Sequence, residues 1–147
     1  MSGGPRVYLP DRPDPQRRAA AFLIDWLLAV LLSLIPIVGG LLGAGYMLCR
    51  DGMNNAVLDR RSLGKRILRL RPVLLSGAPM DLGASIRRNA VLAAPLVLLV
   101  VPIVGVVLAS LASLVVVIAE IGLVFRSRDG RRYGDRFAGT RVVETGE

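Results

Sequence analysis

Histidine is absent from the chain, and cysteine occurs once, as Cys49. A disulfide framework, a Cys/His zinc site, a Cys-His pair and a Ser-His-Asp triad are therefore excluded within one chain. No nucleophile and base stand together elsewhere, so no enzymatic activity, metal or cofactor is expected. Aromatic residues make up only 5% of the chain, and lysine is represented by Lys65 alone. The net charge of +8 thus lacks the aromatic interleaving of a nucleic-acid surface, and nucleic acid is not expected as a partner.

Charge is also missing over two long stretches. Ala19 to Leu48 contains only Asp25, and Asn89 to Phe125 contains only Glu120. With 53% hydrophobic residues and a mean hydropathy of +0.55, this is the composition of a small membrane domain rather than a soluble one. The basic residues flank the apolar blocks, as in cytoplasmic anchoring to anionic lipid. Met1 to Gln16, rich in Pro, Gly and charge, reads as a flexible cytoplasmic tail.

Each apolar block is too long for one crossing. The 30 residues from Ala19 to Leu48 would make a helix of about 45 Å against a hydrocarbon core of about 30 Å. Breaks stand at Pro36 to Gly40 and at Pro102 to Gly105. Two hairpins also place all the basic clusters on one face. The expected fold is an all-α membrane protein with four transmembrane helices, at about 19–36, 37–50, 86–101 and 104–125, and with both termini cytoplasmic. The membrane domain then covers 17–144, with 1–16 and 145–147 as tails. The second helix is the short one, with 13 residues from Ile37 to Cys49. It must thin the bilayer, start outside Pro36, or carry Arg50-Asp51 into the inner interface as a neutralised pair.

A shift of 70 residues superposes Arg17-Arg18 on Arg87-Arg88, Gly64 on Gly134, Arg66 on Arg136, Arg71 on Arg141 and Val73 on Val143. The halves read as parallel pseudo-repeats, each a basic pair, a hairpin, a Gly-x-Arg turn and an Arg-x-Val segment. Lys65 then corresponds to Asp135, and the two are expected to pair. Asp25 corresponds to Pro95, which leaves the intramembrane acid in one half only.

Four blocks carry a family resemblance: Arg17-Arg18-Ala-Ala-Ala-Phe-Leu-Ile-Asp25-Trp26, Ser62-Leu-Gly64-Lys65-Arg66, Ser85-Ile-Arg87-Arg88-Asn89 and Gly134-Asp135-Arg136-Phe-Ala138-Gly139-Thr140. In this order they resemble the RDD family of small prokaryotic integral membrane proteins, over about Arg17 to Glu144. The resemblance implies a multi-pass protein of the prokaryotic inner membrane, with transport of ions or small solutes as the usual suggestion. It puts the name-giving Arg on Arg17 or Arg18 and the two Asp on Asp25 and Asp135. Gly134 stands where a His is commoner in the family, which weakens a proton-relay reading of Asp135.

A carboxylate at membrane depth must find a cation or a proton. For Asp25 the candidate partners are Arg88, Arg50 and Arg126, and the alternatives are a structural ion pair and a proton or cation site. Glu120, at a similar depth, is the candidate second acid of that site, or a residue paired at the interface. Arg17, Arg18, Arg88, Lys65 and Asp135 form the candidate charge latch. Leu63, Ile67, Leu70 and Leu74 fall on one helical stripe, so a short interfacial helix is expected to present Lys65, Arg66 and Arg69 to anionic lipid head groups. Asp81 is the expected cap of a helix entering the membrane, and Thr140 to Glu144 is extended enough to pair with Leu70 to Leu75. The leading function is a small ion or solute transporter, homo-oligomeric because four short helices enclose little volume. The alternative is a non-transporting, lipid-interacting scaffold whose Arg/Asp pairs are latches.

Overall fold

The computed structural model describes residues 13–95, 98 and 104–145. Helix α1 (Pro15–Ser33) begins where Pro15 supplies a helix-ready φ and the Asp14 carboxylate accepts the Gln16 N–H at 2.9 Å. It stops ahead of Pro36, and the chain reverses through Ile37 at φ 70° into α2 (Gly39–Cys49). The two helices pack so closely that a Cβ on Gly43 would lie 2.6 Å from the Ala29 carbonyl oxygen. The short α3 (Leu63–Ile67) is capped by Ser62 and leads into β1 (Leu70–Leu74). Asp81 caps α4 (Leu82–Ala93), accepting the Ala84 N–H at 2.6 Å. Next come α5 (Val104–Arg126), α6 (Tyr133–Phe137) and β2 (Thr140–Glu144).

β1 and β2 form a two-stranded antiparallel sheet, Leu70 facing Glu144 and Leu74 facing Thr140. This is the pairing expected from the extended character of the two segments. Its central pair, Pro72 and Val142, is separated in sequence by the same 70 residues that separate α3 from α6. Pro72 lacks an N–H to give to the ladder, and is tolerated because a two-stranded sheet consists of edges.

This architecture overturns the expected all-α fold of four transmembrane helices. The described residues form six helices and a small two-stranded sheet. Among the described residues, only one helix is long and apolar enough to cross a membrane, the Val107–Arg126 stretch of α5, with a mean hydropathy of 2.5. The physical reasons lie in the other helices. α1 spends its first turn on Gln16, Arg17 and Arg18 and carries Asp25 midway. The 11 residues of α2 reach only about 16 Å. The 12 residues of α4 have Arg87, Arg88 and Asn89 at their centre. Of the expected break at Pro102 to Gly105, Pro102 and Ile103 lie outside the described residues while Val104 and Gly105 open α5; part of the 86–101 span and most of the 1–16 tail also lie outside.

The amphipathic cap helix is also corrected. α3 ends at Ile67, the chain turns at Arg69 with φ 56°, and Leu70 and Leu74 belong to the strand. A five-residue helix cannot carry the stripe expected across twelve positions.

Burial is inverted relative to a water-soluble core. Leu23, Leu27 and Leu31 on α1 and Val107, Leu111, Val115 and Ile118 on α5 are all more than half exposed. Arg50, Arg88, Asp25, Asp51 and Asp135 are each exposed by 1% or less.

Candidate functional site: a buried charge network

Ionic side chains from α1, α3, α4, α5, α6 and the segments after α2 and before α6 meet in one network. Asp25 projects from α1 and is fully buried. Its Oδ1 accepts the Gly64 N–H at 2.8 Å and the Tyr46 hydroxyl at 2.9 Å. Its Oδ2 lies 3.1 Å from Arg50 Nη1 and 4.0 Å from Lys65 Nζ. Of the three candidate cations, Arg50 is thus the partner. Arg50 does not snorkel outward beside Asp51. It turns inward across the Phe22 ring, 5.6 Å from its centroid.

Asp51 is held by Lys65, with Nζ 2.7 Å from Oδ1, and by Arg88 at 3.6 Å. Lys65 therefore pairs with Asp51 and not with Asp135 as expected. Being buried, it is also not part of a basic lipid-facing surface. Arg66 and Arg69 are exposed. Asp135 gathers three guanidiniums: Arg18 Nη2 at 2.7 Å, Arg88 Nε at 2.8 Å and Arg132 Nε at 3.4 Å. Arg88 is the bridge between the Asp51 and Asp135 clusters. Arg17 stands apart, half-exposed, 3.2 Å from Glu144.

Glu120, from α5, accepts the Gly134 N–H at 3.3 Å and faces Arg132 at 3.6 Å. Asp25 and Glu120 therefore do not form one two-acid site. They do equivalent work in the two halves, since each receives the amide of the glycine that opens the short helix after its hairpin. The asymmetry expected from aligning Asp25 with Pro95 is filled by an acid from a different helix. Glycine is needed at both positions. A Cβ on Gly64 would run into the Ala21 carbonyl, and one on Gly134 into the Arg88 carbonyl.

Burial disfavours charge on Asp51, but Lys65, Arg88 and Arg50 together outweigh it and hold the carboxyl well below the ordinary range. Asp135 is likewise held low by Arg88, Arg132 and Arg18 against its burial. Burial pushes Lys65 down to about 8, with Arg50 and Arg88 adding repulsion and Asp51 opposing. Arg132 falls to about 10 for the same reason.

Residues that sequence reasoning passed over complete the network. Arg132 Nη2 donates to Asn89 Oδ1 at 2.7 Å, and Asn89 and Ser85 both donate to the Leu48 carbonyl, at 3.3 and 2.8 Å. A signal for Arg132 existed, because the shift of 70 aligns it with Ser62 and both stand at the N-cap positions of the equivalent short helices, although only Ser62 caps with its own side chain. No cluster of metal-binding side chains occurs among the described residues.

The fold and site define a small helical protein with an apolar exterior and an ionic interior. No family model matches the chain, and no curated protein or solved structure matches it either.

Proposed function

We propose that the protein is a membrane-embedded, non-transporting scaffold of the RDD type, in which the Arg/Asp set is a structural latch. The observation that carries this reading is the environment of Asp25: fully buried, with an arginine at 3.1 Å and an amide and a hydroxyl on its other oxygen. A buried carboxylate held by an arginine, an amide and a hydroxyl is arranged as a structural ion pair. The RDD resemblance draws support from the meeting of residues from all four of its blocks in one network. Asp14, whose N–H reaches Glu144 at 3.2 Å, places the two ends of the described chain on one face. In this reading that face is cytoplasmic, and exposed Arg66 and Arg69 meet anionic head groups there. The homo-oligomer that a permeation path would need is not required.

The rival reading is an ion or solute transporter using Asp25 and Glu120. Reconstitution into proteoliposomes separates the two. The latch predicts no gradient-driven flux, loss of stability in Asp25→Asn, and partial recovery in the Asp25→Asn/Arg50→Gln double variant, which removes both charges together. Gradient-driven flux that Asp25→Asn abolishes while the fold is retained would establish transport.

A further inference from the structure

Among the described residues, Arg18, Arg50, Lys65, Arg88 and Arg132 face Asp25, Asp51, Asp135 and Glu120, five cations to four acids. The five cations and Glu120 line part of a cavity of about 50 Å³, the rest of whose wall is apolar and includes Phe22, Leu70, Ile121 and Val142. Arg50 Nε makes no hydrogen bond, and Arg88 Nη1 has only its 3.6 Å ion pair with Asp51. The space accommodates a few waters or a single small anionic group.

This chamber adjoins a second one. Phe22, Leu92 and Val117 line both. The second chamber lies between α1, α2, α4 and α5, has a volume of about 690 Å³, and is walled by residues such as Trp26, Leu41 and Ala93. Its size falls in the range of small-molecule sites, about 300–1,000 Å³. A small pocket bearing five cations therefore shares a wall of Phe22, Leu92 and Val117 with a larger, more open apolar one.

We propose that the paired chambers bind a long-chain carboxylate, its head group on Arg50 and Arg88 and its hydrocarbon chain running past Phe22 beside Trp26. The small volume of the charged chamber favours a bare carboxylate over a glycerophosphate head. The chain's membrane location, taken from the reading above, bears only on where such a ligand comes from. Failure to bind would leave the latch untouched.

Trp26 is the sole tryptophan and reports on the apolar chamber. The full-length protein, held in amphipol, is titrated with a bromine-terminated undecanoate and with the matching neutral alcohol, and Trp26 quenching is followed. The carboxylate is expected to quench saturably, with the alcohol at least about tenfold weaker for want of the charge-assisted hydrogen bonds. Ala93→Phe, which fills the apolar chamber and leaves the cations in place, is expected to remove the saturable phase. Arg50→Gln is expected to bring the carboxylate down to the level of the alcohol. The alcohol comparison needs no variant, so it decides even if Arg50→Gln does not fold. Equal quenching by acid and alcohol, or saturable quenching unaffected by Ala93→Phe, overturns the proposal. So does displacement by dodecyl phosphate or phosphatidylglycerol as efficient as by laurate.

Discussion

Arg18 and Asp135, 117 positions apart in the chain, are joined by a hydrogen bond of 2.7 Å with both side chains buried. The bond ties the first helix to the last, and Arg88 ties the same carboxylate to α4. Removing the charge of Asp135 takes the shared carboxylate from three buried cations, leaving Arg88 to Asp51 and Arg132 to Glu120 alone. Asp135→Asn is expected to cost about 3–5 kcal/mol. The exposed pair of Arg17 with Glu144 is the internal control, since Glu144→Gln should cost under about 1 kcal/mol. Chemical denaturation of the two purified variants in detergent measures both, and similar losses would mean that the network is not what holds the fold.

The short helices α3 and α6 rest on backbone carbonyls through their glycines. Gly64→Ala and Gly134→Ala each force a methyl group against a carbonyl oxygen of another helix. Each should cost about 1–3 kcal/mol by overpacking. Gly122, inside α5, has nothing within 4 Å of the position its Cβ would take. Gly122→Ala should therefore be neutral or gain up to about 1 kcal/mol from helix propensity. The order of the three melting temperatures is the check, and a Gly122 variant as unstable as the other two would remove the close-approach argument.

Two pH dependences of opposite origin follow from the buried charges. Asp51 and Asp135 titrate below their ordinary value of 3.8. The stability they confer is complete above that pH and is lost as pH falls below it, because the unfolded chain binds protons first. Lys65 titrates near 8 in the fold against 10.5 unfolded. Between those values the unfolded chain holds the extra proton, so stability should rise with pH. A melting-temperature profile should therefore fall at acid pH, lie flat around neutrality and climb from about 8 to 10.5. Lys65→Met should abolish the climb and keep the acid fall.

The sequence made the ionic residues legible but not their pairings. Asp25 was conspicuous because an acid in an apolar run must be compensated, and Asp51 and Arg132 were not, because they sit in polar connections where charge is ordinary. Which cation reaches which acid depends on loop paths. Lys65 meets Asp51 because α3 is a single turn docked on α1 through Gly64, and that docking height is set by a backbone clash that no spacing reveals. The β1 and β2 pair was readable from the extended character of Arg-x-Val segments. The number of crossings was misread because apolar composition was counted over whole blocks. The structure divides those blocks into α1, long enough but interrupted by charge, and α2 and α4, too short to span, and among the described residues only α5 is both long and apolar enough.

α5 is where membrane residence can be tested most directly. Val115 lies near the middle of the Val107–Arg126 stretch and is 66% exposed. If that face meets lipid, Val115→Arg places a guanidinium near the bilayer centre, at a cost of about 2.5–3.5 kcal/mol on insertion. If it meets water, the same exposed substitution should stay within about 0.5 kcal/mol. Carbonate-washed membranes from cells expressing each form provide the measurement. The wild-type chain is expected in the membrane pellet and Val115→Arg substantially depleted from it. Arg66→Gln, on the polar end, should remain in the pellet. An unchanged distribution for Val115→Arg would mean that α5 does not lie in the bilayer, and the apolar surface of α1 and α5 would then have to be covered by another protein.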